Sequence, residues 1–214
     1  MVKNFKIILT VFGFMGIVLF SSQGFAQSSS ATTKPSDTKA QLPPGMDEAT
    51  MAKIKEYSTP NDNHKVLDHF VGSWDYSMKW WMSPDAPPEE STGTSEVKSI
   101  FGGRFIEETV NGTSMGQPFE GRGVTGFDNV KKEYTATWMD NMATGIMTSS
   151  GTYDPATKIL TEKGSFSCPI KNGPMAYRGV LKIIDDNKHV YEMYNTDKDG
   201  KEVKAMELTY TRKK

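Results

Sequence analysis

The stretch from residue 121 to residue 158 contains two β-turn signals between three runs in which polar and apolar residues alternate. An Asp-Asn pair at 128–129 and an Asp-Pro pair at 154–155 interrupt the alternation. These residue types favour turns through side-chain bonds to the backbone or through a fixed φ. Between the turns, Tyr134 and Trp138 fall on the same face of a strand. The stretch therefore predicts an antiparallel meander, in which each strand turns directly into the next.

The rest of the sequence continues this pattern and predicts about ten short strands, from a first strand at 73–82 to a last strand at 202–212. Asn111-Gly112 is the strongest short hairpin signal among the turns. No connection is long enough for a crossover helix, so we expect an antiparallel sheet. An up-and-down β-barrel is the favoured architecture because closure removes exposed edges, and an open two-layer sandwich is the alternative.

Two short helices are predicted before the first strand. Residues 47–55 carry acids in the first turn and bases in the last turn, which suits the helix dipole. In the second helix, Thr59 is expected to cap the N-terminus, Pro60 suits the first helical position, and Gly72 lies just past the end. The expected fold is therefore mainly β, with one or two short helices before a barrel of about ten strands, and residues 46–214 form one domain.

The N-terminus has the features of a cleaved secretory signal over residues 1–26. Lys3 and Lys6 precede an apolar run, and the segment ends at the small residue Ala26. A retained membrane anchor is the alternative, although a spanning helix needs roughly 20 apolar residues and this run is shorter. Residues 27–45 are rich in Ser, Thr and Pro and predict a disordered linker. We therefore expect an exported protein, periplasmic or secreted, without stable membrane insertion after cleavage.

Charge and cysteine content restrict the partners and the source of stability. The sequence has 25 basic and 26 acidic side chains scattered along its length, with a net charge of −1. Nucleic acids and anionic membranes are held mainly through clustered Lys and Arg, so neither is expected as a partner. Cys168 is the only cysteine, and it stands at no signal-cleavage site where it would accept lipid. Without an intramolecular disulfide, the stability of the protein depends on its core.

Two short segments link the first and last predicted strands to a known superfamily. Gly72-Ser73-Trp74 opens the first strand after a short helix, and Tyr210-Thr211-Arg212 ends the last one. This arrangement resembles the calycin barrels, the superfamily of lipocalins and fatty-acid-binding proteins. The resemblance implies barrel closure by Gly72, Trp74 and Arg212, with Trp74 beneath Arg212. A wider set of segments resembles the DUF1579 family, whose function is not established: His64-Lys65-Val66-Leu67, Gly126-Phe127-Asp128-Asn129, Trp138-Met139-Asp140, Thr144-Gly145 and Gly151-Thr152-Tyr153-Asp154.

The candidate ligand-binding residues combine an aromatic and apolar wall with a few polar groups, as small-molecule pockets do. They are Trp80, Met78, Tyr134, Trp138, Asp140, Thr144 and Arg122. Asp140 stands at a predicted hairpin corner, where the alternative is that it only satisfies turn amides. Arg122 shares a strand face with Glu120, and Arg104 shares another with Glu108. The sequence leaves open whether each of these two faces lines the barrel interior or is exposed to solvent.

The expected function is binding of a small apolar or amphipathic molecule, without a cofactor or a metal. Methionine side chains are frequent and suit an adaptable apolar pocket, but no second methionine motif completes a copper site. His189 is the only histidine in a predicted strand, which is too little to indicate haem. No nucleophile elbow or phosphate-binding loop indicates an enzyme. The alternatives are a structural or interaction module with a filled core, and an enzyme whose site forms only on folding; the sequence leaves the oligomeric state open.

Overall fold

Ten strands dominate the computed structural model, which describes residues 45–197 and 199–214. The elements are α1 (Glu48–Ser58), α2 (Asp62–Lys65), a 3₁₀ helix (Val66–Phe70), β1 (Gly72–Trp80), β2 (Glu89–Ile100), β3 (Phe105–Ser114), β4 (Gln117–Asp128), β5 (Glu133–Asp140), β6 (Met147–Asp154), β7 (Ile159–Cys168), β8 (Gly173–Asp185), β9 (Lys188–Thr196) and β10 (Glu202–Arg212). Each strand pairs antiparallel with its sequence neighbours, and β1 pairs with β10 to close the barrel. The predicted up-and-down barrel is confirmed. The sandwich alternative is wrong.

The predicted signal peptide, 1–26, and the linker as far as residue 44 lie outside the described residues. None of the helices in the described part of the chain is both long enough and apolar enough to cross a membrane. α1 has no buried residue, and all of its residues except the half-buried Met51 are exposed.

Strand alternation gives β1 an inward face of large side chains. Trp74 and Tyr76 are buried, and Met78 and Trp80 line the interior, whereas Asp75 and the other intervening residues face outward. The sequence pattern predicts this face as observed, because successive side chains of a strand point to opposite sides. The strand ends earlier than the predicted range of 73–82, so Met82 lies beyond the end of β1 and is exposed.

The predicted hairpin at Asn111-Gly112 is wrong, because both residues lie within β3. The turn falls instead at Met115-Gly116, where φ is 49° and 73°. A Cβ atom at Gly112 would collide with the Tyr76 hydroxyl, which lies against this part of the barrel wall. Gly112 therefore makes room for an interior tyrosine, and its turn propensity is overridden by packing.

The predicted start of the second helix is also wrong. Thr59 donates its hydroxyl to the Lys55 carbonyl at 2.6 Å and so belongs to the end of α1. Asn61 caps α2 instead, since its side chain accepts from the Asn63 amide while its own amide donates to the His64 ring. This reciprocal cap moves the first helical residue to Asp62, two positions beyond Pro60.

The turn between β4 and β5 contacts the C-terminal end of α1. Asp128 accepts hydrogen bonds from the Val130 and Lys131 amides, as the turn signal predicts. Asn129 behaves differently, because its buried side chain leaves the turn and donates to the Tyr57 and Thr59 carbonyls at 2.9 Å. This side chain is a main link between α1 and the barrel wall.

Candidate functional site

The barrel encloses a cavity of about 440 Å³. The 3₁₀ helix closes one end, where Leu67 and Phe70 form part of the lining and are almost fully buried. The lining reaches the opposite end at Met115 and Met142, whose side chains are partly exposed to solvent. Between the two ends, most lining side chains are aromatic or aliphatic, including Tyr76, Met78, Trp80, Val97, Ile106, Val110, Phe119, Tyr134, Trp138, Met147, Leu160, Leu181, Met193, Met206 and Leu208.

Trp138 forms one wall of the cavity and lies flat across β4. A Cβ atom at Gly121 would collide with its indole ring, and one at Gly123 would lie only 3.0 Å from it. Gly121 and Gly123 therefore make room for the Trp138 side chain from the neighbouring strand. The indole N–H donates to Asp140 Oδ2 at 2.9 Å, and Asp140 Oδ1 accepts from the Met142 amide at 3.0 Å. Asp140 therefore fixes the orientation of the Trp138 ring and also stabilises the turn that follows β5.

The structure brings five of the seven candidate ligand-binding residues together around the cavity. They are Trp80, Met78, Tyr134, Trp138 and Asp140. Arg122 is exposed on the outer face, because Gly121 and Gly123 occupy the inward positions on either side of it. Thr144 is exposed in the loop after β5, away from the lining. Neither side chain lines the cavity, and the outward, solvated interpretation of the Arg122 face is the one observed.

Glu162 is an interior carboxylate that the sequence analysis missed. Its Oε2 accepts from the Ser149 hydroxyl and its Oε1 from the Tyr191 hydroxyl, each at 2.8 Å. Burial, together with the adjacent Glu162 carboxylate, raises the pKa of Tyr191, so its hydroxyl stays protonated and donates. All three side chains line the cavity, as does Tyr177 beside them.

Glu108 is a second interior acid with a similar setting. Its Oε1 accepts from the Ser95 hydroxyl at 2.6 Å. Burial raises the pKa of the Glu108 carboxyl, although interactions with the Ser95 and Tyr210 side chains oppose the shift. Arg104, which the sequence places on the same strand face, lies in the turn before β3 and donates to the Ser58 and Phe101 carbonyls instead. Glu108 therefore has no contact with the cation nearest to it in sequence.

The two acids occupy equivalent positions in their hairpins. Ser95 precedes Glu108 by 13 residues, and Ser149 precedes Glu162 by the same 13. In both hairpins the serine sits diagonally opposite the glutamate on the inward face, two residues along the strand from the glutamate's direct partner. The sequence does contain a signal for this arrangement, since Glu108 alternates in phase with the apolar residues Ile106 and Val110.

His189 lies near the closed end of the cavity. Its ring stacks on Tyr210 with a centroid separation of 4.5 Å and meets the Trp74 ring edge-on at 4.4 Å. Burial lowers the pKa of His189 to about 3, and the nearby His69 and Arg212 act in the same direction. The ring is therefore a neutral packing element of the floor at neutral pH. Within residues 45–197 and 199–214, no group of three His, Cys, Asp or Glu side chains is placed to hold a metal ion.

Sequence comparison places this barrel in a family. The profile described as "Protein of unknown function (DUF1579)" matches residues 59–212, which is most of the chain. The chain belongs to the DUF1579 family. No functionally curated protein shows significant sequence similarity to this DUF1579 member.

Among solved structures, the DUF1579 barrel is similar to Rv2717c from M. tuberculosis. The TM-score is 0.55 at 14% identity, and the alignment covers 73% of this chain and 100% of that one. A redesigned β-barrel aligns with a TM-score of 0.36 at 16% identity, over 70% of this chain and 96% of that one. A DUF3598-family protein of unknown function from Nostoc punctiforme gives 0.23 at 8% identity, over 72% and 100%. At such low identity, the similarity to Rv2717c concerns the fold alone.

Proposed function

We propose that the barrel binds a small, mainly apolar molecule in its cavity. The observation that carries the proposal is the interior volume of about 440 Å³, lined mostly by aromatic and aliphatic side chains. Small-molecule sites typically have volumes of roughly 300–1,000 Å³, with a large apolar lining and few polar groups that fix orientation. A barrel filled by its own side chains would leave no such volume.

The lining suits ligands of varied shape. Met78, Met147, Met193 and Met206 all contribute to it. Methionine side chains are unbranched and flexible, so they fill irregular gaps around different molecules. Trp138 supplies the complementary rigid surface, because its hydrogen bond to Asp140 fixes the orientation of the ring. The Trp138 wall is therefore rigid, whereas the methionine side chains can adjust to the shape of the ligand.

A titration with the apolar fluorescent probe N-phenyl-1-naphthylamine tests the proposal. The probe should bind saturably with a rise in fluorescence, at one molecule per barrel. Ala136 faces the cavity between Tyr134 and Trp138 on β5, so Ala136→Phe should fill the site and abolish the signal. Ala156 lies exposed in the β6–β7 turn, and Ala156→Phe is the matched control that should bind like wild type. Equal binding by both variants, or no saturable binding by wild type, would favour a structural or interaction module.

We also propose that the protein is exported and that the mature chain begins at Gln27. The support is the sequence of residues 1–26, a basic start followed by an apolar run and a small residue at position 26. Intact-mass measurement after expression in a bacterium should give a chain that lacks these residues. Ala26→Lys should block processing and leave the full length. A wild-type chain that keeps residues 1–26 would contradict export by cleavage.

A further inference from the structure

We propose that the ligand presents a hydrogen-bond donor, in the simplest case an amine, to the interior carboxyl groups of Glu108 and Glu162. This inference rests on the proposed function and specifies the polar end of the molecule that the cavity takes. It follows from the placement of the two acids, from their remaining acceptor capacity and from the charges around the lining.

The two acids are costly for the fold. An acid moved from water to the interior loses solvation, and apolar residues of similar size usually serve a core equally well or better. β3 and β7 nevertheless each direct a glutamate inward, although these strands also place Ile106, Val110 and Leu160 on the same face. Buried ionisable groups that line a cleft are candidates for functional sites. Ligand recognition is therefore the reason we assign to these two positions.

Both carboxyl groups are positioned and still have acceptor sites open. At Glu162, Ser149 and Tyr191 each donate to a different oxygen. At Glu108, Ser95 donates to Oε1. A carboxylate has about four lone-pair sites, so each group can accept further hydrogen bonds from a molecule in the cavity. The hydroxyl partners hold the acids in place and carry no charge of their own.

The aromatic side chains next to the acids also favour a cationic group. The Tyr76 and Tyr210 rings lie 5.9 Å apart, and Tyr210 interacts with Glu108. Near the second acid, Tyr177 lies beside Glu162. An ammonium group is attracted both to a carboxylate and to the face of an aromatic ring. A ligand amine would therefore gain from the walls as well as from the acids.

The same site disfavours an anion. Among the described residues, none of the side chains that line the cavity is Lys or Arg. Arg212 lies just below the floor, but its guanidinium donates to the carbonyls of His69, Val71 and Asp186. A fatty-acid carboxylate in the cavity would lie beside two acidic groups without a compensating cation. The site should thus separate amines from carboxylates that carry the same chain.

Three ligands with one chain length test this inference: decylamine, decanol and decanoate, titrated at pH 7 by isothermal titration calorimetry. We expect decylamine to bind at least about tenfold more tightly than decanoate, with decanol between them. The double variant Glu108→Gln, Glu162→Gln should remove this order while decanol binding is retained. The matched control is Glu96→Gln, because Glu96 also accepts from a serine, Ser73, but on the outer face of the barrel.

The outcomes separate the two proposals. Decanoate binding as tightly as decylamine to the wild-type protein would overturn the amine inference and leave the proposed function standing. An unchanged preference for decylamine in the double variant would also overturn it. If none of the three compounds binds, the cavity proposal itself fails. The comparison of ligands on the wild-type protein needs no variant to fold, so the inference can be tested even if the double variant is unstable.

Discussion

The Arg212 guanidinium lies 4.0 Å from the centre of the Trp74 ring, where the first and last strands of the barrel pair. The indole N–H donates to the Phe70 carbonyl at 2.7 Å, and the guanidinium donates to the Val71 carbonyl at 2.8 Å. Gly72, between them, has φ of +129°, and a Cβ atom there would lie 2.6 Å from Arg212 Nη1. This arrangement joins the 3₁₀ helix to the closing strands.

Loss of either partner should therefore weaken the whole barrel. Trp74→Ala removes a fully buried aromatic ring and should lower the free energy of unfolding by about 3–5 kcal/mol. Arg212→Lys cannot keep the forked hydrogen bonds and should cost about 2 kcal/mol, measured by urea denaturation. Arg178→Lys is the control. Like Arg212, Arg178 lies over an aromatic ring, that of Tyr194, and makes several hydrogen bonds, but these go to Glu202 at the surface. A cost for Arg212→Lys no greater than for Arg178→Lys would contradict this role.

The end of α1 is attached to the barrel mainly by Asn129 in the β4–β5 turn, and Arg104 adds one hydrogen bond to the Ser58 carbonyl. Asn129 is 7% exposed and accepts from Asn61 Nδ2 at 2.6 Å while it donates to carbonyls at the end of α1. Asn129→Ala should leave those groups unpaired and cost about 2 kcal/mol. Hydrogen exchange of residues 48–61 should accelerate in this variant. Asn141→Ala, which removes similar bonds at another turn, should leave exchange in that segment unchanged.

The strand order and the inward face of β1 follow from the sequence because alternation and turn chemistry are local properties. The misplaced features have non-local causes. Gly112 looks like a turn residue until Tyr76, from another strand, is seen to need the space beside it. Asn129 looks like a turn residue as well, but its partners are carbonyls about 70 positions earlier. The sequence leaves the orientation of Arg122 open because it does not fix the phase of the strand, and a shift by one residue reverses every side chain.

His189 should make stability depend on pH. Its folded pKa of about 3 is below the ordinary value of 6.5, so the unfolded chain takes up a proton first as pH falls. The stabilisation is complete above about pH 6.5 and is lost progressively below it. His189→Phe keeps an aromatic ring and should reduce the slope of unfolding free energy between about pH 6 and 5 by about 1 kcal/mol per pH unit.

A control for this pH experiment comes from the outer face of β9. Glu192 is 7% exposed. Burial would raise the pKa of Glu192, but hydrogen bonds from Lys182, Lys204 and Tyr194 outweigh it and lower the pKa to about 2. Its contribution is present above about pH 4.5 and is lost below that value. Glu192→Gln should therefore leave the slope between about pH 6 and 5 unaltered. An unchanged slope in His189→Phe would contradict the neutral, buried state of the ring.

Glu108 should have the opposite effect on stability. Its folded pKa is raised above the ordinary value of 4.5, so the unfolded chain ionises first as pH rises. The wild-type protein therefore loses stability as pH rises from about 4.5 towards the folded pKa. Glu108→Gln mimics the neutral acid and should be more stable than wild type by roughly 1 kcal/mol at pH 7, with no difference at pH 4. Thermal melts of this variant beside Glu96→Gln check the expectation, and a destabilised Glu108→Gln at pH 7 would contradict it.

The candidate walls of the site follow from the sequence better than its polar groups do. Met78, Trp80, Tyr134 and Trp138 belong to strongly alternating runs, so their shared face is readable. The interior acids are harder, because an isolated glutamate in a strand normally faces water. Glu162 becomes recognisable as a cavity residue only when folding brings Tyr191 from β9 to its side. The equal spacing of the two Ser–Glu pairs is a pattern that gains meaning only with the register of the hairpins.

Methyl NMR of the protein labelled at methionine Cε, with bound N-phenyl-1-naphthylamine, tests the occupation of the cavity most directly. Met78, Met147, Met193 and Met206 line the interior, whereas Met46 and Met139 are exposed on the outside. We predict intermolecular NOEs from the aromatic protons of the probe to methyl groups of the four interior residues, and none to Met46 or Met139. NOEs confined to the exterior methionines, with the interior resonances unchanged at saturation, would contradict ligand binding inside the barrel.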